Sequence, residues 1–299
     1  MAYDSIFSKS FGQSELKKLG FGALIICFIM ASSFHTVLKQ HVRGYCGNQF
    51  HDFTDVLIPL YLTSRRFHGE VLFLVADKRF FWISKYKPIL DKLSNYDIVD
   101  INKENNVLCF KRMIVGLRAH KEFAIDPLEP PHYSMEDFRQ FLRSTFSLER
   151  ESVTNHVCRT RRPRMLIISR RKNRFIKNEI EVSNMARSLG FDVGGGRNRV
   201  EYIIVIQIIP FGAELWAKPY FQLPAKGMKL RYLEYKVSLN ESSLLGKYPL
   251  DSQVYRDPGA IYNKGFIVYH SVYLNNQDVT LNFSRFREIL LKAFQLVQC

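Results

Sequence analysis

Four cations crowd one short stretch of this chain. Arg170, Arg171, Lys172 and Arg174 follow an apolar run, Met165–Ile168, and precede an amphipathic segment that stops near Gly190. The pattern predicts a strand, a basic turn over Ser169–Arg174, a helix, and a further strand starting around Phe191 and Val193. Such a turn at a helix N-terminus suits a diphosphate, because turn amides and the positive end of the helix dipole point the same way. Arg adds long-range charge and a bidentate grip on phosphate. A solvated basic turn is the plain alternative, since charge runs commonly sit on exposed faces. Asn178 and Glu179 stand where the helix begins and could position a nucleotide. Glu179 is equally at home there without a ligand, because a carboxylate is favourable at a helix N-terminus.

A second group of reactive side chains lies in FHDFTD. On a helix, His51 and Asp55 share a face at i, i+4 spacing. The carboxylate would then orient the imidazole as a general base for a hydroxyl. The same spacing also makes an ordinary surface pair. His120 is either a site residue or a satisfied loop histidine. Trp216 and Tyr220, again four apart, could stack on a ligand ring or simply belong to the core.

The elements that must hold these residues alternate along the chain. Asn48 could cap a helix through about Arg65, with Phe50, Phe53, Val56, Leu57, Leu60 and Tyr61 on one face, which Pro59 should bend or end early. Val71–Val75 reads as a buried strand, Ser84–Leu93 as a helix and Asp97–Ile101 as the next strand. That order predicts βαβ units and a parallel sheet. After a Pro-rich break, Ser134 caps a helix to Ser147, with Asp137 in the capping-box position. Residues 149–163 are polar and end in Pro163, which suits a linker between an N-terminal α/β half, 44–148, and a C-terminal one, 164–299. Tyr202–Ile209 reads as a strand and Ser284–Val297 as a closing helix.

Bulk composition narrows the function classes. At 299 residues and 46% apolar, the chain can bury a sizeable core. A net charge of +15 calls for an anionic partner or setting. No RNA-binding aromatic signature, zinc-finger spacing or basic zipper is present, so nucleic-acid readout is disfavoured. The five cysteines contain no CxxC pair, which argues against structural zinc and leaves disulfides open. Leu19–Leu38 holds no Asp, Glu, Lys or Arg, and twenty residues can cross a hydrocarbon core of about 30 Å. We read it as a signal-anchor transmembrane helix behind a cytosolic tail, 1–18; a cleaved signal peptide and a buried helix are the competing readings. Sequons at Asn240 and Asn282 would then face the lumen as glycosylation sites.

Three ordered blocks carry a family resemblance. MLIISRRKNRFIKNEIEVSNMARSLGFDV, the run from Gly44 to Ile101, and IQIIPFGAELWAKPYFQLPAKGMKLRYLEY with its tail through YPLDSQVYRDPGAIY resemble glycosyltransferase family 61. That plant group comprises xylan arabinosyltransferases and xylosyltransferases. The resemblance implies a GT-B-like architecture of two Rossmann-like halves and a single-pass type II protein of the Golgi membrane. It implies inverting transfer of a pentose from a UDP-sugar to a cell-wall glycan such as xylan. Arg170, Arg171 and Arg174 would face the diphosphate; Asn178 and Glu179 match the family's Asn-Glu pair, and His120 falls in another family block. No cofactor or metal is expected, for no Asp-x-Asp occurs in the chain. Leaving-group charge would fall to arginines and helix dipoles.

The chain also departs from the family. Members carry an HGAG-type loop before the Ile206–Pro210 strand; here that interval has shrunk to GGGRNRVEYIIV, Gly194–Val205. The stem and first strands expected before Gly44 are missing as well. A truncated, inactive member that pairs with intact family members as a scaffold is therefore the alternative reading.

Overall fold

The computed structural model describes residues 36–41, 47–76, 78–148, 162–168, 170, 173–194 and 204–297. The tail over 1–18, residues 19–35 of the apolar span, and 149–161 of the linker lie outside them. Among the described residues no helix is long and apolar enough to cross a membrane. The chain divides into two compact units: one takes residues up to Asn48 together with Pro59–Arg118, the other Gln49–Ile58 together with the chain from Ala119 onward.

The first unit is built on a parallel sheet. Strand β1 (Thr36–His41) lies between β2 (Val71–Ala76) and β4 (Arg112–Val115), and β3 (Val99–Asp100) flanks β2. β1 pairs along its whole length with β2. Two sequence expectations are corrected here. Thr36–Leu38, the end of the apolar span, are strand and not helix, and a first strand does precede Gly44. The sequence hid β1 because its apolar residues run straight on from those before it, so no change of period marks the boundary.

Helix α1 follows in three pieces: Gln49–His51, a π-helical Asp52–Leu57, and Ile58–Ser64. Pro59 does not end it. The Ile58 N–H bonds to the Phe53 carbonyl, one residue wider than α-helical register, immediately before the proline. The widened turn makes room for a ring that would otherwise collide with a carbonyl one turn back. Helix α2 (Phe80–Leu93) buries Trp82, Tyr86, Ile89 and Leu90. Cys109, in the loop before β4, is disulfide-bonded, and the other cysteines lie outside the described residues.

Gln49–Ile58 of α1 belong to the second unit, which goes on to α3 (Met135–Thr145), whose Ser134–Asp137 capping box forms as the sequence predicts. Its strands make two separate parallel pairs, β5 (Arg164–Met165) with β6 (Asp192–Val193), and β7 (Ile204–Ile209) with β8 (Arg231–Lys236). β5 is shorter than the run Met165–Ile168. Among the described residues its neighbour β6 offers two residues to pair with, and Ile168 is left exposed. The α/β class and parallel strands agree with the sequence reading. Helix α4 (Glu179–Ser188) and the closing helix, Phe283–Val297, pack Val182, Ala186, Phe286 and Leu290 against Tyr235 and Val237 of the β8 region.

A carboxylate ties that core together. Glu241 is buried and accepts from the Ser238 amide at 2.9 Å, the Ser238 hydroxyl at 2.7 Å and the Asn282 amide at 2.6 Å. Tyr235 and Arg285 also bond it. Burial alone would raise its pKa; the bonds from Tyr235, Ser238 and Asn282 outweigh burial and hold it below the ordinary 4.5. Its contribution is present above the unfolded value of about 4.3 and is lost as pH falls through the lowered folded value. Glu241→Gln should therefore flatten the acid side of a stability–pH profile and cost about 2–4 kcal/mol at neutral pH in urea melts. An unchanged acid limb would contradict this.

Candidate functional site

The predicted basic turn exists, but a distant segment fixes its shape. Arg174 adopts a left-handed backbone, φ 55°, and its amide donates to the Gln277 carbonyl at 2.8 Å. Phe175 donates to the Asp278 carboxylate at 3.0 Å, and the Lys177 amide to the Val279 carbonyl at 2.8 Å. Asn178 completes the seam: its side chain donates to the Leu281 carbonyl at 2.9 Å and accepts from the Leu281 amide at 3.0 Å. Asn178 is thus a stitch between chain segments. Its neighbour Glu179 begins α4 as the dipole argument predicts.

The two described arginines of the turn differ. Arg170 folds back on Asn173, with Nε 3.2 Å from its carbonyl and a second nitrogen 3.1 Å from its side chain. Asn173 in turn reaches Asn275 at 3.1 Å. Arg174 is half-buried, and its Nε is buried without a hydrogen-bond partner. Burial, then repulsion from Arg170, lowers its pKa to about 10. Among the described residues neither arginine takes part in an ion pair. His270 is also held below its ordinary value, by burial and by the Arg174 charge. Arg171 and Lys172 lie outside the described residues.

A stack of rings adjoins this cationic group. Phe266 stacks on Trp216 at 5.0 Å, Trp216 on Tyr220 at 3.9 Å, and Tyr220 contacts Phe50 at 4.0 Å. His270 meets Trp216 edge-on at 6.3 Å. At the other end His51 meets Phe50 edge-on at 5.2 Å. The His51–Asp55 pair forms as spacing predicts: Nδ1 lies 2.7 Å from the carboxylate. Asp55 is exposed and His51 partly so. Burial, then the charges of Glu122 and Asp55 among others, pushes the Tyr220 hydroxyl up to about 12.

Three π-helical stretches supply this surface: Asp52–Leu57 carries Asp55, Lys218–Gln222 carries Tyr220, and His270–Asn275 carries His270. Such stretches recur at functional sites because they re-aim side chains at a cost in helix stability. Beneath them Tyr269 and Tyr273 are fully buried, with hydroxyls bonded to the Gly212 and Val254 carbonyls. Gly212, at φ +72°, cannot be replaced freely, since a Cβ there would lie 2.3 Å from the Tyr273 ring.

Not every sequence candidate joins the surface. His120 accepts the Asp126 amide at Nδ1, 3.0 Å, and its Nε2 lies 3.1 Å from the Pro130 carbonyl. Both nitrogens are spent within its own loop, so His120 is the satisfied loop histidine. Asn240 and Asn282 are exposed. Among the described residues no group of three or more His, Cys, Asp or Glu could hold a metal ion. His270 was missed by the sequence reading; its i, i+4 spacing from Phe266 was the available signal.

Comparison with known proteins decides the family. An alpha-1,3-arabinosyltransferase of Oryza sativa subsp. japonica is 39% identical over 287 residues, 84% of this chain and 50% of the relative. A beta-1,2-xylosyltransferase of the same plant is 36% identical over 85% of this chain and 62% of the relative. A xylan glycosyltransferase of Arabidopsis thaliana is 33% identical over 84% of this chain and 60% of the relative. The chain belongs to glycosyltransferase family 61. No family model matches it. This family 61 chain spans about half the length of the first relative. The 287 aligned positions exceed 84% of 299 residues, so that relative carries residues inside the match which this chain lacks. The shortened interval Gly194–Val205 lies outside the described residues at 195–203.

The residue that binds this surface together is Gln277, which is buried. Its amide accepts from the Phe211 N–H at 2.8 Å and the Ser242 hydroxyl at 2.9 Å, and donates to the Phe211 and Tyr273 carbonyls at 3.0 Å each. Gln277→Leu leaves those groups buried without partners and should cost about 2–5 kcal/mol. Urea denaturation measures it; a loss below about 1 kcal/mol would show that the groups find other partners.

Proposed function

We propose that this chain transfers a pentose, arabinose or xylose, from a UDP-sugar to xylan with inversion at the anomeric carbon. The observation that carries the reading is the half-buried Arg174. Its Nε lacks a hydrogen-bond partner, the Arg170 charge acts on it, and among the described residues neither arginine takes part in an ion pair. A diphosphate supplies the missing acceptors and the opposite charge. Arg171, next in the sequence, would add a further guanidinium.

His51, oriented by Asp55 through Nδ1, would take the acceptor hydroxyl's proton at Nε2. The hydroxyl oxygen bonds to the anomeric carbon as the bond from that carbon to the diphosphate oxygen breaks. The electron pair leaves with UDP, whose charge the arginines meet, and the imidazolium then releases its proton to water. No metal or cofactor takes part on this reading. The second unit would be the donor half of a GT-B-like architecture. A single-pass type II protein of the Golgi membrane, anchored before Thr36, fits the reading. A disulfide at Cys109 suits an oxidising lumen, and exposed Asn240 and Asn282 suit glycan attachment.

One observation favours a second reading. The residues missing inside the match motivate an inactive member that partners intact family enzymes. The test for both is incubation of the full chain with labelled UDP-arabinose or UDP-xylose and xylan. Incorporation is expected, and Arg174→Gln should lower kcat/KM about 100-fold. Well-folded chain that incorporates nothing, yet co-purifies with intact family members from Golgi membranes, would overturn the first reading for the second.

A further inference from the structure

The outer end of the ring stack opens to solvent. Phe266 is 52% exposed and Ile267, its neighbour on the same short helix, 81%. Val268, on the same short helix, and Leu215, next to Trp216 in the chain, are exposed as well. The floor is packed: Phe266 rests on Trp216, Trp216 on Tyr220, and the buried Tyr269 and Tyr273 lie in the core against which Trp216 packs. His270 rims it, 5.1 Å from the Phe266 ring. A preformed aromatic face with a polar rim loses little entropy when it binds, and contiguous exposed apolar surface commonly marks a binding site.

We propose that Phe266, stacked on Trp216 and followed by the exposed Ile267, is the docking platform for the acceptor glycan, a neutral chain of pyranose rings. The proposal rests on the reading of the chain as a pentosyltransferase. Pyranose rings present flat arrays of C–H bonds, which pack on aromatic faces and bury apolar area. Phe266, Ile267 and Val268 are three successive exposed apolar residues, and an exposed face leaves a polymer free to pass beyond the site. The ring stack continues from this platform through Tyr220 and Phe50 to His51, the residue that would receive the hydroxyl's proton.

Titration of the full chain with a linear xylo-oligosaccharide, without donor, tests the platform directly by calorimetry. Phe266→Ala should weaken binding about tenfold while UDP affinity stays unchanged. Phe266→Trp should keep binding, and Ile267→Ser should weaken it to a smaller degree. Matching urea melts establish that the exposed substitutions leave the fold intact. Wild-type chain that does not bind the oligosaccharide, Phe266→Ala that binds it as wild type does, or a loss that appears in UDP binding instead, would each overturn the proposal. Oligosaccharide binding that depends on Phe266 in a chain without transfer activity sinks the catalytic reading and leaves the platform standing. Transfer with an acceptor KM unmoved by Phe266→Ala does the reverse.

Discussion

One buried side-chain amide, that of Gln277, holds the candidate site in shape. An amide can donate and accept at once, and here both ends are used: toward the turn after β7, toward Ser242, and toward the helix that carries His270. Its own backbone carbonyl then fixes Arg174 in a left-handed conformation. In a low-dielectric interior an amide with every group satisfied specifies a single arrangement, because any shift strands a polar atom. The cationic turn is therefore not a loop hung from a strand. It is a seam sewn from Arg174 to Asn178 along residues 277–281.

That seam explains how like charges come to share a small space. Left to itself, a turn bearing several arginines would splay into water. Here Arg170 is held by Asn173, Asn173 by Asn275, and Arg174 is drawn inward until burial and its neighbour both work against its charge. Burial thus works against a guanidinium that takes part in no ion pair among the described residues, and perturbed groups of this kind cluster at functional sites. The aromatic stack supplies the complementary half, a rigid apolar wall with an imidazole at each end.

Local patterns were legible in the sequence, and distant partnerships were not. The Ser134–Asp137 box, the start of α4 at Glu179 and the His51–Asp55 pair each depend on residues within four positions of one another. Spacing alone determines such features. Asn178 read as a possible nucleotide ligand because its true partner, Leu281, is more than a hundred positions away. Gln277 gave no signal for the same reason. β1 vanished into the apolar run before it, and β5 fell short because strand length is set by the neighbour as much as by propensity. Pro59 misled in the opposite direction: a single π-turn absorbed a residue that usually breaks a helix.

Asn282 serves two structures with one amide group. Its carbonyl oxygen accepts from the Arg285 amide at 3.1 Å, capping the closing helix, while its nitrogen is the atom to which a sequon glycan would be joined. N-linkage consumes a hydrogen of that nitrogen and leaves the oxygen's lone pairs intact, so a sugar could be added without uncapping the helix. The usual glycan-null exchange of Asn for Gln would shift the oxygen by a methylene and confound two effects. Asn282→Asp would remove the attachment nitrogen and keep an oxygen for the cap, while adding a charge near Glu241.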